Sequence, residues 1–262
     1  MELWTADSRR GLMQGGVQVW NAPCFAVCGR AGRVFAAAKK QGFGISAGGE
    51  SFTFALPDSV GRLSLWGDYL YALSADADCI CLLSPGRGEL MVTAPAGHYP
   101  RNMCISPCGR RAAVAGGAAG EVLLFDRELH CLCRHRVAGV AVDVCFLPRA
   151  LAVLCAVGDE NVFSHLVWIS ARGVTEEIYT CPQAPGCLCA LPGGKMMMGC
   201  AGAVLQFNAE GRLVGRQACQ WPGRILLTEK GVMLADCGLG GIRDLQGRWL
   251  YTGGEPADFC VV

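Results

Sequence analysis

Residues 110–137 read RRAAVAGGAAGEVLLFDRELHCLCRHRV, and this stretch decides the fold. An apolar run, a turn of small residues, a second apolar run, a polar turn and a third run follow one another. Runs this short, closed off by Gly and Asp, read as β-strands. The same succession recurs in ELWTADSRRGLMQGGVQVW from Glu2 and RVFAAAKKQGFGISAGGESFTFAL from Arg33. It returns in YLYALSADADCICLLSPGRGELMVTA from Tyr69 and ALAVLCAVGDENVFSHLVWISARGVTEEIYT from Ala150. KMMMGCAGAVLQFNAEGRLVGRQA from Lys195 and GVMLADCGLGGIRDLQGRWLYTGG from Gly231 complete seven copies. Their mean spacing is about 37 residues, the length of one four-stranded propeller blade.

Each blade also needs an inner strand, and short apolar segments supply them: CFAVC after Pro23, RLSLW after Gly61, NMCIS after Arg101, DVCFL after Val142, CLCAL after Gly186, RILLT after Gly223 and DFCVV after Ala257. The last is the end of the chain and has no strands after it, while the copy at Glu2 has none before it. The two ends therefore complete one blade, with strand a from 258–262 and strands b, c and d from 2–20. The sequence predicts an all-β, seven-bladed β-propeller of four-stranded blades, closed non-covalently so that only short edges remain. No linker or low-complexity stretch divides residues 1–262, which are expected to form a single domain.

Composition agrees. The chain has 262 residues, 52% hydrophobic and 17% charged, which excludes intrinsic disorder. A net charge of +1 gives no footprint for nucleic acid. The start, MELWTADSRRGLM, lacks the basic and apolar regions of a signal peptide. No apolar run is long enough for a membrane helix. A cytoplasmic monomer with no membrane or nucleic-acid partner is expected. The 17 cysteines fit a reducing compartment, with Cys as a small hydrophobe. There is no C-x2-C pair for zinc, and Cys24/Cys28 and Cys104/Cys108 are spaced C-x3-C. No metal or cofactor is expected.

The stretch HYPRNMCISPCGRRAAVAGGAAGEVLLFD, residues 98–126, resembles the YVTN and lactonase-like propeller repeats, in which an S-P-D-G turn precedes an apolar strand. ELWTADSRRGLMQGGVQVW resembles the NHL type. Cys108 departs from the pattern, standing where an acidic residue is usual. The resemblance implies a seven-bladed disc. It also implies, as an alternative activity, a lactonase-like hydrolase using the channel mouth. In lactonase-like propellers a Pro-Arg-His triplet places a histidine there, whereas this chain has Pro100-Arg101-Asn102.

Aligning the inner strands on their first residue gives a ring of Cys24, Arg62, Asn102, Asp143, Cys187, Arg224 and Asp258 around the central channel. Arginine presents a planar fork suited to carboxylate or phosphate. Arg62, Arg101, Asn102, Asp143, Arg224 and Asp258 are thus the candidate ligand-binding residues, for a small anionic molecule or a protein segment. Arg224 and Asp258, in neighbouring blades, are expected to pair. Arg62, with no carboxylate beside it, is expected to be the freer cation, with Arg101 as a second donor. The hydrolase alternative needs a base from Asp143, Asp258 or His98. No catalytic residue declares itself. Gly158 to His165, with Asp159, Glu160 and Asn161, reads as a hairpin turn rather than a cation site. Gly238–Gly241 reads as a turn, and His130 and His135 as surface residues of an outer strand.

Overall fold

The computed structural model describes residues 2–262 as twenty-eight strands, β1 to β28 in chain order, with one short 3-10 turn at Pro192–Gly194. They form seven four-stranded antiparallel sheets. The deciding stretch supplies β13 (Arg111–Ala115), β14 (Glu121–Asp126) and β15 (Cys131–Arg136), and β12 (Asn102–Ile105) is their inner strand. The other inner strands are β4 (Ala26–Arg30), β8 (Arg62–Trp66), β16 (Val140–Phe146), β20 (Pro185–Ala190), β24 (Pro222–Thr228) and β28 (Pro256–Val261). Each inner strand neighbours those of the two flanking blades, round a closed ring. We number the blades one to seven from β4 to β28.

Blade seven joins the chain ends as expected. β28 pairs antiparallel with β1 (Leu3–Asp7), Ala6 opposite Asp258 and Leu3 opposite Val261. Glu2 and Val262 extend the ladder by exchanging backbone hydrogen bonds of 2.8 and 3.1 Å. The strand starts at Pro256, two residues before the sequence boundary, because pairing resumes across a bulge to set Pro256 opposite Asp7. A bulge at the same place lets Pro185 and Pro222 open their strands. Proline's missing N–H is tolerated at a strand's first residue.

Seven apolar clusters hold the disc together, one between each pair of neighbouring blades. Between blades two and three, Tyr71, Leu73, Ile80 and Leu82 meet Met103, Val114, Leu123 and Phe125. Strands next to the inner ones carry small residues there (Ala36, Ala72, Ala113, Ala152), all buried, so that bulky neighbours fit between sheets. Burying a side chain such as Phe125 contributes roughly 1.5–3 kcal/mol. The core is thus distributed between blades, and an isolated blade would lose both of its contacts.

Local chemistry explains the turn that departs from the family pattern. Gly109 has φ +70°, and a Cβ there would collide with the Trp66 indole, so the position needs glycine. Ser106 Oγ accepts from the Arg111 N–H at 3.0 Å and lies 3.5 Å from Cys108 Sγ. The thiol thus takes up the turn contact in place of an acid. Outer strands are polar or exposed: along β15, only His135 is partly covered. No helix among the described residues is long and apolar enough to cross a membrane.

Candidate functional site

The pairing register defines the ring. Arg62, Asn102, Asp143, Cys187, Arg224 and Asp258 lie opposite Leu73, Ala115, Leu154, Gly199, Ala235 and Ala6, which are equivalent residues of the second strand in each blade. In blade one that position is Ala26, opposite Ala37. Cys24 is therefore not a ring member. It still belongs to the crossover from blade seven, where its N–H donates to the Asp7 carbonyl at 3.1 Å.

This correction changes the electrostatics. Ala26 leaves its slot empty of polar atoms, and Arg62 reaches across it. Its Nη1 donates to Asp258 Oδ1 at 3.0 Å and its Nε to Asn102 Oδ1 at 2.6 Å. Arg62 is thus not a free cation. Arg224 Nη1 meets the same Asp258 oxygen from the other side, as its neighbouring blade leads one to expect. Two guanidiniums share one carboxylate oxygen.

The carboxylates are structural as well as charged. Asp258 is fully buried; Oδ1 also accepts the Phe259 N–H at 2.9 Å and Oδ2 the Val27 N–H of blade one at 3.1 Å. Asp143 repeats the device between blades four and five. Its oxygens accept the Val144 and Leu188 N–H groups, each at 2.7 Å. A carboxylate suits both positions because each oxygen serves a different strand. Among the described residues, no cation lies within salt-bridge distance of Asp143. Burial raises its carboxyl to about 6 against the opposing pull of Arg62 and the two amides. Burial likewise lowers Arg62, and lowers Arg224 to about 9, with repulsion from Arg62 adding to it. Both guanidiniums stay protonated at neutral pH.

Arg62, Asn102, Asp143, Cys187 and Arg224 border a channel cavity of about 290 Å³. A second, of about 710 Å³, runs from Arg224 past Cys28, Leu65 and Cys260 to Thr228 and Val262. Arg101 stands apart from both: it is exposed, with its guanidinium 4.8 Å from the centroid of the Tyr99 ring. His98 is also outside, its Nδ1 held 3.0 Å from Asp78 Oδ2. Gly158–Val162 connects two strands of blade four, and His165 lies on the second of them, 3.4 Å from Glu177. Asp126, Glu128 and His130 cluster at an exposed turn, where Asp126 accepts the Glu128 and His130 N–H groups and bonds the His130 ring. That arrangement is accounted for by the turn itself.

Sequence reading missed two further carboxylates. Asp7 accepts the Tyr251 hydroxyl at 2.7 Å and three backbone N–H groups. Asp236, at the equivalent place in blade six, pairs with Arg243 and accepts the Trp221 N–H. Their signal was an acid closing an otherwise apolar strand.

No protein-family model matches the sequence, and no curated protein matches it. Solved structures do match in shape. A protein described as a candidate 6-phosphogluconolactonase, from Bacteroides uniformis, superposes with a TM-score of 0.75 at 12% identity, covering 100% of this chain and 99% of its own. Virginiamycin B lyase from Staphylococcus aureus gives 0.70 at 11% identity, over 86% and 81% of the two chains. The WD40 propeller of Doa1 gives 0.68 at 15% identity, over 90% and 82%. At such identities the likeness establishes the propeller fold, on which unrelated functions are carried.

Proposed function

We propose that the chain is a monomeric binding or scaffold propeller, and that its channel ring holds a small anion, carboxylate or phosphate, between Arg62 and Arg224. The observation that carries this reading is the sharing of one Asp258 oxygen by two guanidiniums. One carboxylate does not saturate two planar forks of five donors each, and both arginines border the same cavity. Asn102, already bonded to Arg62, orients that guanidinium. Arg101, on the rim beside Tyr99, suits contact with a protein segment rather than with the channel ligand. Seventeen unbridged thiols suit a reducing, cytoplasmic setting.

A lactonase-like hydrolase, as the Bacteroides neighbour is described, would need a base free to move a proton. The oxygens of Asp143 and Asp258 are already engaged by backbone amides, and His98 is tied to Asp78 outside the channel. The binding reading is therefore favoured. Calorimetric titration with a panel of small carboxylates and phosphates tests it. A charged hydrogen bond is worth roughly 1.5–3 kcal/mol, so Arg62→Ala should weaken the tightest anion by about ten- to a hundredfold. An anion bound equally by wild type and variant would refute the assignment. Turnover of a lactone would restore the hydrolase.

A further inference from the structure

Two residues beyond the ring, each inner strand places another side chain at an equivalent position: Cys28, Ser64, Cys104, Cys145, Cys189, Leu226 and Cys260, paired with Phe35, Tyr71, Ala113, Ala152, Met197, Met233 and Trp4. Five of seven blades carry cysteine. Seventeen cysteines scattered evenly over 262 residues would put fewer than one in these seven places. None of the seven residues paired with them is a cysteine.

All five cysteines border the channel cavities. Cys104, Cys145 and Cys189, on three successive blades, border the smaller one together with Cys187 of the ring, and Cys28 and Cys260 border the larger. Cys145 is near enough to feel the charges of Cys104 and Cys189, as Cys28 feels that of Cys260. None is bridged. Arg62 and Arg224 border the same smaller cavity.

We propose that this thiol layer binds a soft, monovalent metal ion, copper(I), between thiolates of neighbouring blades, with Cys104, Cys145 and Cys189 as the principal donors. Soft thiolates select Cu(I) and zinc. Zinc requires four converging ligands, and among the described residues no group of three ligand atoms has gathered in the channel. Copper(I) is satisfied by two. Binding replaces two S–H bonds with two S–Cu bonds: Cu(I) and two thiols give a bis-thiolate complex of charge −1 and two protons, which leave to solvent. Nothing is oxidised or reduced. Arg62 and Arg224 lie where that negative charge forms. Because two protons are released on binding, affinity should rise with pH. This site lies one layer below the proposed anion ring and borders the same cavity.

The test is anaerobic titration of reduced protein with Cu(I) buffered by a chromogenic chelator. It uses a background in which the exposed Cys108, Cys131, Cys133 and Cys237 are changed to Ser, so that surface thiols do not contribute. One tightly held Cu(I) per chain is expected. Adding Cys104→Ala, Cys145→Ala and Cys189→Ala should weaken it by more than about a hundredfold, because Cys187 is then the one thiol left bordering the smaller cavity. Copper lost in the surface-thiol background, or kept in the channel variants, would overturn the proposal. X-ray absorption of the loaded background protein needs no channel variant: a sulfur-only shell is expected, and a nitrogen or oxygen shell would also overturn it. Anion titration of the same proteins reports on the ring separately.

Discussion

Changing Asp258 to Ala should damage the protein out of proportion to the atoms removed. This carboxylate lies on the closing strand, yet it touches four blades. It bonds Phe259 within its own blade, Val27 in blade one, Arg62 in blade two and Arg224 in blade six. It is wholly buried, and the two guanidiniums are largely so. Removing one partner of a buried ion pair leaves an uncompensated charge and costs about 3–5 kcal/mol. Here two cations and two amides lose their acceptor, so the upper part of that range is expected. For a chain of this size each kcal/mol lowers the melting temperature by about 2–4 °C, giving a drop of roughly 8–20 °C. Urea unfolding followed by tryptophan fluorescence measures the free energy, and calorimetry the temperature. Asp258→Asn, which keeps the shape and one acceptor, should fall between wild type and Ala. Asp68→Ala, which removes an exposed carboxylate 3.9 Å from Arg33, should change nothing measurable. A loss of less than about 1 kcal/mol in Asp258→Ala would refute the claim that the ring charges are mutually dependent.

Three other outcomes follow from the same geometry. Deleting residues 256–262 removes the inner strand of blade seven and opens two edges, so the truncated chain should aggregate or lose cooperative unfolding; melting like the intact chain would contradict the closure. In native protein a thiol reagent should modify Cys108, Cys131, Cys133 and Cys237 first, with Cys108 fastest because contacts with Ser106 and the Arg110 N–H lower its thiol; all seventeen should react after denaturation, and mass analysis showing native disulfides would count against the account. Asp143, raised to about 6 from an ordinary 3.8, favours the fold when protonated, so its contribution is complete below its unfolded value and lost as pH rises through 6. Relative to Asp143→Asn, the wild type should lose about 2 kcal/mol of stability between pH 4 and 7, and a difference that does not change with pH would refute the raised value.

The propeller was legible because repetition is a long-range signal: seven copies of one strand succession leave little choice of architecture, and the orphan strand at each end predicts the closure. The ring was legible at six places, at five of which a polar residue interrupts an apolar strand. It failed at Cys24, because counting from Pro23 ignores where pairing begins; there the crossover is still bonded to Asp7 at Cys24, and pairing within blade one starts only at Phe25. That shift hid the contact between Arg62 and Asp258, which depends on alanine standing between them. Arg101 was misplaced for a related reason: it precedes Asn102 by one residue, and in a strand adjacent side chains point to opposite sides. The thiol layer escaped a search for ligand spacings because its members are a whole blade apart in sequence. It shows only when AVC, NMC, DVC, CLC and DFC are laid over one another in register.

The measurement that tests the account most directly is a crystal structure of the protein grown with the anion that binds it most tightly in calorimetry. The account predicts ordered density bridging the guanidiniums of Arg62 and Arg224 in the channel, with Asn102 still bonded to Arg62 and Arg101 out on the rim. Both arginines closed on Asp258 with only water in the cavity, and the anion bound elsewhere, would contradict it.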